Sequence, residues 1–315
     1  MIRRFGLAIS ATVALVALAA LGVYALRNPE RETLDAAVRT AAGLPGEFIG
    51  SPVGTTYYEV AGPDTGRVAL LVHGFSVPSY IWDSTFTSLA AAGYRVIRYD
   101  LMGRGWSDRP DAAYDGPMFD AQILALLDSL GVRGTVDLFG LSFGGFVTAH
   151  FTAAHGDRVR TLVLVDPIVE GPTDPGFLAW PLVGRYVFQV TAVPGMADGQ
   201  ASDFLHPERF PGWVDRYRPQ MRYRGFGRAL LRSRLTLVDA DFAALHGRIA
   251  AQGTPVMLAW GKQDATLPFA QSEIVRGRIP AIEFVPIDSS GHLPHLEQTR
   301  TFNAAMFAFL ARHLP

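Results

Sequence analysis

The 315-residue chain contains no cysteine. A disulfide framework, a thiolate nucleophile and a cysteine-ligated metal are therefore excluded, although an oxidising compartment is not. Lysine is nearly absent as well, Lys262 being the only one among 28 basic residues. Charge of either sign is scarce in net terms: 29 acidic residues leave a formal charge of −1, which gives no electrostatic footprint for nucleic acid. The arginine bias accompanies many alanines and reads as genome composition rather than function. No internal repeat breaks the chain. Its length and 49% hydrophobic content supply one large α/β domain with an inserted segment.

What is present begins with Leu138-Phe139-Gly140-Leu141-Ser142-Phe143-Gly144-Gly145. One serine sits between two glycines at G-x-S-x-G spacing, the pattern of a nucleophile elbow. Thr135 to Leu141 reads as a short buried strand and Gly145 to His155 as a helix, which places Ser142 on the turn between them. A side chain at Gly140 or Gly144 would collide with the neighbouring backbone of so tight a turn. The turn would hold the Ser142 hydroxyl out of the sheet and aim the first amides of the helix at an oxyanion.

Two further strand-like runs end in the partners such a serine needs. Pro255 to Trp260 leads into Gly261-Lys262-Gln263-Asp264, and Ile282 to Ile287 leads into Asp288-Ser289-Ser290-Gly291-His292. Nucleophile, acid and then histidine, each just past a different strand, is the chain order of an α/β sheet built for hydrolysis. Ser142 would attack a carbonyl, His292 would carry the proton, and Asp264 would hold the imidazole in the right tautomer. A second acid is available, because Val163-Leu164-Val165-Asp166-Pro167 is another strand ending in aspartate. Asp264 is preferred for its loop, with Asp166 as a turn residue and the alternative acid. The apolar strand Val68 to Val72 runs into His73-Gly74-Phe75, whose Phe75 N–H would complete an oxyanion hole with that of Phe143. His73 reads as a loop organiser, since His292 fills the proton-carrying role.

Taken together, His73-Gly74-Phe75, Asp100-Leu101-Met102-Gly103-Arg104-Gly105-Trp106-Ser107-Asp108, Gly140 to Gly145, Trp260 to Asp264 and Ser290 to His295 resemble the capped α/β-hydrolase superfamily over about residues 55–315. The resemblance implies a mostly parallel eight-stranded sheet with helices on both faces, an inserted helical cap and a serine hydrolase without cofactor or metal. Position by position it implies Ser142 as nucleophile, Asp264 as acid, His292 as base, and Phe75 and Phe143 as oxyanion donors. Epoxide hydrolases and haloalkane dehalogenases of the superfamily carry aspartate at the elbow, so Ser142 disfavours those chemistries.

The amino terminus speaks to compartment. Arg3 and Arg4 precede Phe5 to Leu26, 22 uncharged residues, and Arg27 follows. As a helix this run would be about 33 Å long, enough for the hydrocarbon of a bilayer. Residues 1–27 are expected to be a signal anchor placing the enzyme outside the cytoplasm, or a signal peptide cleaved near Ala17-Leu18-Ala19 to release it. Residues 28–50 are expected to be a stalk, with Asn28 and Pro29 opening a short helix.

The expected core is residues 51–167 and 251–315, with the cap at 168–250, where the strand-helix rhythm stops. Phe177, Trp180 and Phe188 belong to an aromatic stretch that could roof an acyl pocket. Eight arginines between Arg209 and Arg234 read as a solvated helical face, with anionic lipid or a substrate carboxylate as sharper alternatives. The function expected is hydrolysis of carboxylic esters with an apolar acyl group, of small-molecule or lipid substrates. The alternatives are a carbon-carbon bond hydrolase of ring-cleavage products and a non-catalytic binding or receptor module on the same fold.

Overall fold

The computed structural model describes the backbone of residues 2–314 and the side chains of residues 12–314. Eight strands form one sheet: β1 (Glu47–Ser51), β2 (Gly54–Ala61), β3 (Val68–Val72), β4 (Arg95–Tyr99), β5 (Val136–Leu141), β6 (Val159–Val165), β7 (Val256–Gly261) and β8 (Glu283–Ile287). Their order is β1-β2-β4-β3-β5-β6-β7-β8. Only β2 runs against its neighbours, and every pair from β4 to β8 is parallel.

The central strands are predominantly apolar because helices cover both faces of the sheet. Alternate residues feed opposite cores: Leu70, Val72, Leu138, Leu164 and Leu258 face one, while Ala69, Leu71, Phe139, Val163 and Met257 face the other. One polar group interrupts β5. Asp137 is fully buried and accepts from Arg67 Nη2 at 2.6 Å, Arg160 Nη1 at 3.0 Å and Thr161 Oγ1 at 2.7 Å. Arg67 also donates to the Leu310 carbonyl at 3.0 Å, which fastens the last helix, Thr299–Arg312, to the end of the sheet beside β5. Asp137→Ala would leave two guanidinium groups without their shared anion. It is expected to lower stability by about 3 kcal/mol, read as a fall in urea midpoint at constant m.

Between β6 and β7 the chain forms helices alone, among them Phe226–Thr236 and Phe242–Gln252. Of the arginines in this stretch, Arg216 pairs with Asp83 (2.5 Å), Arg218 with Asp198 (2.9 Å), Arg222 with Glu32 (3.3 Å), and both Arg228 and Arg232 with Asp111. Their charge is spent on carboxylates of the same protein.

The amino terminus departs from the expectation. Among the described residues no helix is long and apolar enough to cross a membrane, which overturns both the anchor and the extracytoplasmic placement built on it. Arg3 and Arg4, which set the expected orientation, have side chains outside the described residues. The helix Ile2–Arg27 ends on the protein itself. Tyr24 stacks on Tyr186 at 6.1 Å, the Tyr186 hydroxyl donates to the Ala20 carbonyl at 2.9 Å, and Arg27 Nε donates to the Val190 carbonyl at 3.2 Å. The following residues are a strap: Asn28 Oδ1 accepts from Gln189 Nε2 at 2.8 Å, and the Glu30 carboxylate accepts the N–H groups of Gly225 and Gly227 at 2.7 Å each. Those amides open the helix Phe226–Thr236, where an anion is favoured. The short helix starts at Ala36 rather than at Pro29, capped by Asp35, whose side chain accepts from the Val38 N–H.

Candidate active site

Ser142 follows β5 with φ +52° and ψ −117° and begins the helix Phe143–Ala154. Non-glycine residues rarely hold this conformation, and the surrounding packing enforces it. A Cβ on Gly140 would lie 2.2 Å from Thr148 Oγ1, and one on Gly144 would lie 2.4 Å from the Val72 carbonyl. The two glycines let the helix start press against the end of β3.

The acid and histidine loops are sewn to each other. Gln263 N–H donates to the Ser290 carbonyl at 3.0 Å, Gln263 Oε1 accepts from the Ser290 N–H at 3.1 Å, and Lys262 N–H donates to the Ile287 carbonyl at 2.9 Å. This stitching brings His292 Nδ1 to 2.7 Å from Asp264 Oδ2. The other oxygen of Asp264 accepts from the N–H groups of Thr266 (2.8 Å) and Leu267 (2.9 Å). With Nδ1–H donating to Asp264, the Nε2 lone pair of His292 is free to take a proton.

Burial works against ionisation of Asp264. The hydrogen bond and charge of His292 and the Leu267 N–H outweigh it and hold the carboxyl below its ordinary range. For His292, burial disfavours the cation, but the hydrogen bond and charge of Asp264, with the charge of Asp203, raise it above the ordinary histidine value. Neutral His292 is the form able to accept a proton, so hydrolysis should fail as pH falls through this raised value. The acid limb of kcat/KM is expected to be centred above about pH 6.5, the unperturbed histidine value. A pH profile on any turned-over ester measures it, and a limb centred well below that point would contradict the Asp264–His292 coupling.

Ser142 and His292 line one cavity of about 200 Å³, together with Gly74, Phe75, Ser76, Val77, Leu141 and Asp203. Among the described residues no hydrogen bond joins Ser142 to His292; a nucleophile–base contact of this kind tightens when substrate binds. The N–H groups of Phe75 and Phe143 take no part in the turn and loop hydrogen bonds. His73 is fully buried, donates from Nδ1 to the Gly74 carbonyl at 2.9 Å and accepts the Leu101 N–H on Nε2 at 2.9 Å. Burial, aided by the Arg104 charge, lowers it to about 3, which keeps it neutral and structural. Asp166 lies within 4.8 Å of the ligating atoms of Asp264 and His292, close enough to form a metal site. However, the Nδ1–H that His292 gives to Asp264 leaves that nitrogen no lone pair for an ion.

Two supporting residues carry no signal of their role in the sequence. Arg104 is fully buried and, among the described residues, has no carboxylate partner; it donates to the carbonyls of Phe75 (2.8 Å) and Met102 (3.0 Å) and to Ser233 Oγ (2.9 Å). Its guanidinium lies 5.6 Å from the Phe75 ring and 5.4 Å from the Phe143 ring. It thereby fixes the loop that presents the Phe75 amide. Glu297 accepts the Gly291 N–H at 2.7 Å on one oxygen and the Leu205 N–H at 2.8 Å on the other, tying the histidine loop to the helical insertion. His292 N–H adds a bond to the Asp203 carbonyl at 2.8 Å. A glutamate five residues past the histidine belongs to no motif, and its partner at 205 is visible only in three dimensions.

The expected acyl roof is not found where the sequence put it. Phe177 and Trp180 are 51% and 63% exposed and do not line the cavity, and Phe188 is buried in the core beneath the insertion. The segment 177–183 crosses the outside of the insertion, so its aromatics face solvent.

Known proteins share this arrangement of elements. The chain is 27% identical over 247 residues to the pimeloyl-[acyl-carrier protein] methyl ester esterase of Neisseria meningitidis serogroup A, covering 77% of this chain and 76% of that one. It is 28% identical over 285 residues to haloalkane dehalogenase 1 of Mycobacterium bovis, covering 78% and 92%. Among solved structures, an enol-lactonase from Burkholderia xenovorans LB400 superposes with TM-score 0.73 at 20% identity, over 84% of this chain and 100% of that one. A thermophilic esterase from Thermogutta terrifontis matches with TM-score 0.73 at 24% identity, over 86% and 100%. Both share the fold. The alpha/beta hydrolase family model matches residues 69–305, from β3 into the last helix and across every element that carries the site, and the chain belongs to that family.

Proposed function

We propose that the protein is a serine hydrolase of carboxylic esters working through Ser142, His292 and Asp264. The observation that carries this reading is the 2.7 Å hydrogen bond from His292 to Asp264 on the wall of the cavity that Ser142 also lines. Esterase names among similar proteins support it. Residues 168–250 serve as the cap, and residues 51–167 with 251–315 as the catalytic core.

In this mechanism Ser142 Oγ attacks the ester carbonyl carbon while His292 Nε2 takes its proton. The N–H groups of Phe75 and Phe143 bind the oxyanion, and Arg104 keeps the first of them aimed. Collapse breaks the carbon–oxygen bond, and the alcohol leaves with the proton from His292. Water then attacks the acyl-enzyme with His292 as base, releasing the acid and restoring Ser142. Haloalkane dehalogenation does not suit a serine at this position.

The cavity supports a small acyl group as substrate. About 200 Å³ walled by Val77, Ile81, Leu141 and Leu293 accommodates a compact apolar acyl group. A fluorophosphonate probe should label Ser142 alone; a binding module with the same fold would turn over nothing and take no label. With p-nitrophenyl esters, kcat/KM is expected to rise about fourfold per methylene from acetate, as each buried CH₂ contributes about 0.8 kcal/mol, and to fall once the chain outgrows the cavity. Trp180→Ala should leave that profile unchanged, because Trp180 stands in solvent. A flat profile across the series would remove acyl esters from consideration.

A further inference from the structure

Asp166 takes no part in the mechanism above, yet it is fully buried beside the acid that does. It follows β6 with φ +40°, a strained conformation for a residue with a side chain. Its Oδ1 accepts the Gly261 N–H at 2.9 Å. Its Oδ2 is buried and, among the described residues, meets no N–H or O–H donor. A carboxylate oxygen of Asp166, one of Asp264 and a ring nitrogen of His292 all lie within 4.8 Å of one another. Two carboxyl groups this close in a buried site strongly disfavour ionising together.

The donors decide which one carries the charge. Asp264 receives His292 Nδ1–H, Thr266 N–H and Leu267 N–H, whereas Asp166 receives Gly261 N–H alone. The acidic groups facing Asp166 are Asp264 and Glu297, and among the described residues no arginine or lysine pairs with it. An oxygen without a donor is satisfied when it becomes the donor. We propose that Asp166 holds a proton at the pH of catalysis and donates it from Oδ2 to Asp264, acting as a positioning residue that fixes the Asp264 carboxylate and limits its basicity toward His292. Burial first, and then the charge of Asp264, push Asp166 well above the ordinary carboxylate range, in the same direction. The sequence offered Asp166 as an alternative to Asp264; in this arrangement the two act together, one neutral and one ionised.

The proposal rests on the ester-hydrolase reading, and its test has one arm that does not. Protein labelled with ¹³C-aspartate should show an infrared carbonyl band of a protonated carboxyl at pH 7 that disappears in Asp166→Asn. This arm needs no turnover, so it decides the protonation state even if esters prove the wrong substrate. In the kinetic arm, Asp166→Leu removes the donor. Without it Asp264 becomes more basic, His292 holds its proton more tightly, and the acid limb of kcat/KM moves to higher pH with an activity loss of about ten- to hundredfold. Asp166→Asn returns an N–H donor to the same place, regains most of that loss and restores the limb. An ionised Asp166 predicts the opposite: no infrared band that Asp166→Asn removes, and a limb moved to lower pH in both variants because a negative charge near His292 has gone. Either of those results overturns the proposal, as does an unshifted limb in Asp166→Leu. Should Asp166→Leu fail to fold, the infrared band of the wild type and the limb of Asp166→Asn still decide.

Discussion

Ser142→Ala is expected to reduce kcat for a p-nitrophenyl ester by about 10⁶, the loss typical of removing a triad nucleophile. Among the described residues no other serine or threonine lining this cavity stands on a strained turn at the end of a strand. The cavity holds Ser76 as its other serine, whose carbonyl is fastened by Gln220 Nε2 at 2.9 Å, but no strained turn presents Ser76 at the end of a strand. The residual rate should stand about 10³ to 10⁴ above water, supplied by the oxyanion donors and by binding. Alanine at this position keeps the backbone hydrogen bonds that hold the turn, in which Ser142 N–H donates to the Val165 carbonyl at 3.0 Å and the Ser142 carbonyl accepts from Gly145 and Ile168. The variant should therefore unfold at the same denaturant concentration as the wild type, because alanine keeps a Cβ and the turn keeps its φ of +52°. A loss below tenfold, or fluorophosphonate labelling that persists in the variant, would place the nucleophile elsewhere.

Much of this architecture is legible in the amino-acid sequence because the catalytic strands are buried on both faces. All six residues of β5 and of β7 are buried, so β7 reads as an unbroken apolar run and β5 as one broken only by Asp137, and the chemistry-bearing residues follow where each run stops. Gly140 and Gly144 can be interpreted for the same reason, since a turn that tight tolerates no side chain. What stays hidden depends on contacts between distant segments. A 22-residue uncharged run reads alike whether or not it leaves the protein, and the Tyr24–Tyr186 stack and the strap through Glu30 depend on partners far away in the chain. The cap aromatics mislead similarly: Phe188 and Trp180 are eight residues apart and equally apolar, yet one is core and the other solvent-exposed. Arg104 looks like part of a glycine-rich turn because its partners, Phe75 and Ser233, lie 29 and 129 residues away.

Asp264→Asn should cost about 10⁴ in kcat, and the wiring of this site explains why so conservative a change does so much. The two backbone donors, Thr266 N–H and Leu267 N–H, both point at Oδ1 and require an acceptor there. An asparagine can satisfy them only with its carbonyl oxygen, which leaves its NH₂ facing His292 Nδ1. Two donors cannot face each other, so His292 must present a lone pair at Nδ1 and carry its proton on Nε2 instead. That is the nitrogen which has to accept the proton of Ser142. The imidazole would be held in place with the wrong tautomer, and the cation formed during attack would lose its counter-charge. KM should change little, because Asp264 does not line the cavity, and the loss should fall on kcat. The acid limb of kcat/KM should also move to lower pH, since the hydrogen bond and charge that raise His292 have gone while its burial remains. Asp166→Asn tests the rival assignment under the same assay. If it proved the more damaging of the two substitutions, the histidine would have to be oriented from the end of β6 and the roles of the two aspartates exchanged.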